Sequence, residues 1–288
     1  MANPPPAPGQ PPSPPAPLAG VRRVIAVGAG KGGVGKSTVA VNLALALKQG
    51  GARVGLLDGD VYGPSIPTML GTHERPSGTG PNHIHPIEAY GLSLMSMGFL
   101  LDPEKPMVVR GPIVHTVIRQ FLGDVAWGDL DWLIVDLPPG TGDVALSLAQ
   151  SAQVSGAVVV STPQDVALVD VHRAVSMFRT LKVPVVGLVE NMSWYECPSC
   201  GNRDEVFGHG GAETWAETQH IPFLGGVPLH ASVAVGGDAG RPALADPSTP
   251  DHVRQAFLAL ADRLRSTVGE LEAQGPMPPL IQIEGLKR

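Results

Sequence analysis

The stretch Gly30-Lys31-Gly32-Gly33-Val34-Gly35-Lys36-Ser37-Thr38 constrains this chain more than any other. It follows the apolar run Val24-Ile25-Ala26-Val27 and leads into Val39-Ala40-Val41-Asn42-Leu43-Ala44-Leu45-Ala46-Leu47. That is GxxxxGK[ST] in its required setting of strand, glycine-rich loop and helix. Backbone N–H groups of such a loop wrap a nucleotide's phosphates, aided by the partial positive charge at the helix N-terminus. Residues 30–38 are therefore the expected nucleotide-binding loop. Lys36 is expected to reach the β- and γ-phosphates, and the Ser37 hydroxyl to ligate Mg²⁺.

From Val21 onward short apolar runs alternate with helical stretches, the pattern of a parallel α/β sheet. Strands are expected at Val24–Val27, Arg53–Leu57, Ser93–Met97, Trp132–Val135, Gly156–Ser161, Val185–Glu190 and Phe223–Val227. Helices are expected at Lys36–Gln49, Gly111–Leu122, Asp143–Gln153, Val166–Leu181, Ala212–His220 and Pro250–Gly269. Continuously apolar strands imply a sheet covered by helices on both faces, so the expected fold is one doubly wound α/β domain over residues 21–270. Residues 1–20 carry nine prolines and no charged side chain, a composition that predicts a disordered or polyproline-like tail. Residues 271–288 read as an irregular C-terminal tail.

Ligand-binding loops of such a sheet lie at the carboxyl ends of its strands. Asp58-Gly59-Asp60-Val61-Tyr62-Gly63-Pro64-Ser65 follows one apolar run, and Asp136-Leu137-Pro138-Pro139-Gly140-Thr141-Gly142-Asp143 follows another. Asp136 at the end of an apolar strand suits a carboxylate that holds Mg²⁺ directly or through water. Asp60 is placed to orient or deprotonate an attacking water. Asn191 closes the Val185–Glu190 strand, and its amide offers the paired donor and acceptor that suit an adenine edge.

Both cysteines of the chain lie in Tyr195-Glu196-Cys197-Pro198-Ser199-Cys200-Gly201. C-x₂-C lets two thiolates grip one metal centre, and a complete four-thiolate set then requires a second chain. Three uses fit the spacing: a redox dithiol, a structural zinc held by a dimer, and a bridging iron–sulfur cluster. His209, or His83 with His85, offers a further route to a zinc site. The formal net charge of −6 provides no overall basic field for nucleic acid, and no run of apolar residues is long enough to span a membrane. With two cysteines and no signal-peptide pattern the chain reads as soluble and cytoplasmic.

GKGGVGKST resembles the deviant Walker A motif of the SIMIBI class of P-loop proteins. With LLDGDVYGPSIP at 56–67, DLPPGTGD at 136–143, STPQDVAL at 161–168, ENMSWYECPSCG at 190–201 and FGHGGA at 207–212, the chain resembles the Mrp/ApbC family of iron–sulfur P-loop ATPases. The resemblance implies an ATPase homodimer with a [4Fe–4S] cluster bridging Cys197 and Cys200 of two subunits, and delivery from a cluster donor to apo client proteins. It makes Lys31 the lysine that crosses to the partner's nucleotide, Lys36 the phosphate lysine, and Ser37 the Mg²⁺ ligand. Asp60 becomes the residue near the attacking water, and Asn191 the adenine contact. Many bacterial relatives carry an extra N-terminal domain where this chain has its Pro-rich stretch. Competing readings are a MinD- or ParA-like positioning ATPase and a P-loop ATPase whose cysteines hold only structural zinc. The first of these wants a basic amphipathic C-terminal helix or a basic surface. Instead, Val253, Phe257, Leu260, Leu264 and Val268 form an apolar stripe expected to face the core.

Overall fold

The computed structural model describes residues 15–78, 83–100, 111–140, 142–208 and 210–275, with residues 111 and 112 described in backbone only. The apolar runs become β1 (Val24–Gly28), β2 (Val54–Asp58), β3 (Ile87–Ala89), β4 (Leu92–Ser96), β5 (Trp132–Asp136), β6 (Gly156–Ser161), β7 (Val185–Glu196), β8 (Arg203–Asp204) and β9 (Phe223–Leu229). The helices are α1 (Lys36–Gln49), α2 (Ile66–Met69), α3 (Gly111–Gly123), α4 (Gly142–Ser151), α5 (Asp165–Thr180), α6 (Gly211–Thr218), α7 (Ala231–Asp238) and α8 (Asp251–Gln274).

These strands form one sheet in the order β3-β4-β2-β5-β1-β6-β7-β8, with β9 also paired to β7. Only β3 and β8 run antiparallel to their neighbours. The alternation within each strand divides the core into two layers. Ile25, Val27, Leu56, Ile134 and Val158 pack with α1 and α8 on one face. Val24, Ala26, Leu57, Leu133, Val135 and Val159 pack with α3, α4, α5 and α6 on the other. This is the expected doubly wound sheet, and the α8 stripe from Val253 to Val268 is buried as anticipated.

The structure departs from the sequence reading in four places. First, β7 runs on through Asn191 to Glu196, because its second half finds a parallel partner in β9 and then an antiparallel one in β8. Second, α8 continues past Gly269 to Gln274, where the Arg23 guanidinium donates to both Glu272 carboxylate oxygens at 2.6 Å. Residues 276–288 of the expected tail lie outside the described residues. Third, Leu18 packs against the α3–α6 layer and the Ala16 carbonyl accepts from Gln153 N–H at 3.3 Å, so the end of the Pro-rich stretch lies on the domain. Residues 1–14 lie outside the described residues. Fourth, the short elements α2, α7, β3 and β8 were not expected; α7 carries two glycines and α2 a proline in its first turn, compositions that read as loop.

Candidate functional site

The phosphate loop joins β1 to α1 at the carboxyl edge of the sheet. Gly33 and Gly35 have φ of 79° and 80°, values that side chains rarely adopt. They turn the loop back over the start of α1. A cavity of about 580 Å³ opens there, lined by Lys31, Lys36, Ser37 and Thr38 from the loop, Asp60 from the loop after β2, and residues of α2 and α7.

Beneath it lies a compact ionic cluster. Lys36 Nζ donates to Asp136 Oδ1 at 2.5 Å and to Ser37 Oγ at 3.2 Å, while Ser37 Oγ donates to Asp136 Oδ2 at 2.6 Å. Asp136 is fully buried and Lys36 nearly so. Burial pushes the Asp136 carboxyl up, and the Lys36 ammonium and then the Ser37 hydroxyl pull it back. A buried carboxylate beside a hydroxyl is an all-oxygen donor pair of the kind Mg²⁺ takes, and the lysine ammonium already neutralises it. The expected roles of Lys36, Ser37 and Asp136 thus meet at one point.

The sequence reading passed over a second buried carboxylate. Asp58 ends β2 directly opposite Asp136 in the parallel register. Its Oδ1 accepts from Asp60 N–H at 3.1 Å, and its Oδ2 accepts from Ser96 Oγ at 3.0 Å and Ile66 N–H at 3.3 Å. Burial, and then the charge of Asp136, push its pKa up to about 7. Asp58 is therefore the peg on which the 59–66 loop hangs, and through that loop it sets the position of Asp60. The sequence signal was an apolar strand ending in Asp, the same signal that marked Asp136.

Asp60 is half-buried on the cavity wall, with Oδ1 accepting from Gly63 N–H at 3.1 Å. Lys31 lies at the rim and makes no ion pair or side-chain hydrogen bond among the described residues. Asn191 is buried, and its Nδ2 donates to the Val34 carbonyl at 2.8 Å. That bond uses one of two amide hydrogens and ties β7 to the phosphate loop.

The two cysteines occupy the turn between β7 and β8. Cys197 N–H donates to the Asn202 carbonyl at 2.9 Å, and Gly201 N–H to the Cys197 carbonyl at 2.8 Å. Both thiols are free, Cys200 exposed and Cys197 half-buried. Backbone N–H groups of Ser199 and Cys200, and then the Cys200 thiol, hold the Cys197 thiol below its usual range, which favours the metal-binding thiolate. Arg203 stacks 4.1 Å from the centre of the Trp194 ring and braces the hairpin. His85 bridges to Ser77 and His83 lies just before it, on the approach to β3 at the other edge of the sheet, so neither can complete a site at Cys197 of the same chain. His209 lies outside the described residues. Among the described residues no group of three or more His, Cys, Asp or Glu gathers around a metal position, and no helix is long and apolar enough to cross a membrane.

Many known proteins are similar to this chain. A family model described as ParA, NUBPL iron-transfer P-loop NTPase, matches residues 20–265. An iron–sulfur cluster carrier protein of Haemophilus influenzae is 48% identical over 91% of this chain and 70% of its own length. One from Deinococcus radiodurans is 51% identical over 90% of this chain and 75% of its own. The mouse iron–sulfur cluster transfer protein NUBPL is 49% identical over 86% of this chain and 78% of its own. Among solved structures, a nucleotide-binding protein from Archaeoglobus fulgidus in complex with ADP superposes with a TM-score of 0.71 at 40% identity, covering 82% of this chain and 92% of that one. The Mg-ADP complex of MinD from Pyrococcus horikoshii reaches 0.61 at 21% identity, covering 86% of this chain and 98% of its own, a likeness of fold alone.

Proposed function

This chain belongs to the ParA family of NUBPL iron-transfer P-loop NTPases, and from that premise we propose an ATP-dependent carrier that holds one [4Fe–4S] cluster between two copies of itself. The observation that carries this reading is a pair of free thiols on a hairpin at the same sheet edge as a built phosphate site, in a chain with no third cysteine. Two thiolates from each of two copies complete the four-thiolate set that such a cluster takes. The cluster is cargo, passed from a donor to apo client proteins, and one exposed and one half-buried ligand suit a load that must enter and leave.

ATP enters the cavity with its phosphates on the loop N–H groups of residues 30–38. Lys36 then turns from Asp136 to the β- and γ-phosphate oxygens, which frees the Asp136 carboxylate and the Ser37 hydroxyl to hold Mg²⁺. When bound, that ion neutralises charge on the phosphates. Asp60 orients the attacking water, and Asp58 holds the loop that carries Asp60. Lys31, at the rim and unpaired among the described residues, reaches the partner's nucleotide and stabilises charge on the transferred phosphoryl group. Asn191 offers its second amide hydrogen and its carbonyl to the adenine edge. The resulting hydrolysis is slow and acts as a switch between holding and releasing the cargo.

Anaerobic reconstitution with iron and sulfide, then gel filtration and metal analysis, tests this reading. About four iron and four sulfide per dimer, lost in Cys197→Ser, are expected. One zinc per dimer with no sulfide would make the cysteines structural and end the carrier assignment.

A further inference from the structure

A carrier of this kind needs its nucleotide site and its thiols to sense each other. We infer that the second half of β7 makes that connection, with Asn191 as the positioning residue that ties the cysteine hairpin to the phosphate loop. The inference rests on the carrier reading only for the identity of what the thiols hold.

The strand changes character along its length. From Val186 to Val189 it is a buried apolar strand between β6 and β9. Beyond that it carries Glu190, Asn191 and Ser193, all buried and all polar. Asn191 and Glu190 are each bonded to a separate part of the molecule, and Ser193 is bonded to Glu190. Asn191 Nδ2 donates to the Val34 carbonyl at 2.8 Å. The Glu190 carboxylate accepts from Ala212 N–H of α6 at 3.0 Å and from Ser193 Oγ at 2.5 Å. An apolar strand is fixed by packing that has no alternative partner, whereas a segment held by directional bonds moves when one acceptor moves.

The acceptor in question is well placed to move. Val34 stands between Gly33 and Gly35, the two left-handed glycines whose peptides must meet the phosphates. A Cβ built on Gly35 would stand 2.1 Å from Asn191 Nδ2, so loop and strand are in direct contact. On the far side of Asn191, Met192 has φ of 57° and the register with β9 shifts between Asn191 and Tyr195. An irregularity of this type is a place where a strand is re-aimed. Past it, Tyr195 pairs with Asp204 and Glu196 with Arg203, and Cys197 follows at once. A turn of the Val34 peptide on nucleotide binding is thereby passed through Asn191 and the irregular segment to the thiol pair.

The test reads the thiols in the reduced, cluster-free full chain, at concentrations where light scattering shows a monomer. Alkylation rates of Cys197 and Cys200 by iodoacetamide are followed by mass spectrometry without nucleotide, with ADP, and with a non-hydrolysable ATP analogue. Saturation is checked with a fluorescent nucleotide. In the wild type the rates should differ between the free and analogue-bound chain by about fivefold or more, the lower end of ordinary coupling between sites. Asn191→Asp keeps the side-chain shape but removes the donor to Val34, and should bring the ratio to about one at saturation. Ser193→Ala, which removes one of the two bonds that hold the Glu190 carboxylate, should reduce it and serves if the first variant does not fold. Equal wild-type rates in all three states, or a wild-type ratio retained in the variants, would overturn the inference. Iron and sulfide loading of the same preparations separates the two claims. A chain that loads its cluster with nucleotide-blind thiols ends this inference alone, whereas responsive thiols on a chain that takes no sulfide end the carrier reading alone.

Discussion

The phosphate site and the thiol hairpin share one edge of one sheet and are built on opposite principles. Lys36, Ser37, Asp136 and Asp58 come from three adjacent elements and lie under the surface or close to it; the first three satisfy one another before any ligand arrives, and Asp58 is held by Ser96, Asp60 and Ile66. Cys197 and Cys200 hang on a two-residue ladder with their thiols free of any disulfide. A triphosphate brings several negative charges, and a site that recognises them needs donors already fixed in place. A cluster has to be taken up and given away, so the ligands proposed for it sit where another protein can reach them. The contrast teaches that burial tracks what stays and exposure tracks what is passed on.

The sharpest way to break that comparison is at Lys36. Lys36→Ala removes the phosphate lysine and leaves Asp136 buried without its counter-charge. Phosphate release should fall by roughly two to three orders of magnitude, and stability by about 3–5 kcal/mol in urea unfolding. The double variant Cys197→Ser with Cys200→Ser is the counterpart. Iron and sulfide should drop to background while unfolding free energy stays within about 0.5 kcal/mol, as for other exposed substitutions. Equal destabilisation by both variants would show that the hairpin is as structural as the phosphate site.

A third experiment uses pH. The Asp58 carboxyl in the folded chain is raised to about 7 from an ordinary 3.8. Between those values the folded state holds a proton that the unfolded chain has released, so stability falls as pH rises from about 4 to about 7 and levels off above. The full penalty is on the order of 4 kcal/mol. Asp58→Asn should flatten the decline in melting temperature between about pH 4 and about pH 7, and an unchanged slope would assign that proton elsewhere. The smallest effect is expected at the hairpin brace. Arg203→Ala removes the stack on Trp194, worth about 0.5–1 kcal/mol, and should speed amide exchange across Tyr195–Asp204 while leaving β1 and β5 unchanged.

Where the sequence was easy to read, the determinants were local. Strand, glycine loop and helix are contiguous from Val24 to Gln49, and Asp136 ends an apolar run, so the nucleotide cluster could be assembled before any fold was known. Asp58 was harder, since its importance comes from facing Asp136 across a strand boundary and from Ser96 on β4, neither of which is near it in sequence. The continuation of β7 was hidden for a similar reason. Glu190-Asn191-Met192 looks like the end of a strand until its partners at Val34 and Ala212 are known. Buried polar groups satisfied over long sequence distances leave no periodic trace, and here they lie between the two centres.

One feature of the cysteine pair reaches beyond the single molecule. In the proposed arrangement each chain contributes two thiols, so the bridged site would not exist until two chains meet and its occupancy would be a matter of mass action. Below saturation, doubling the amount of protein raises the loaded form about fourfold, and dilution alone unloads it. The concentration of carrier would then set its readiness to accept or surrender cargo, a control that needs no effector and that a chain with all its ligands in one copy could never have.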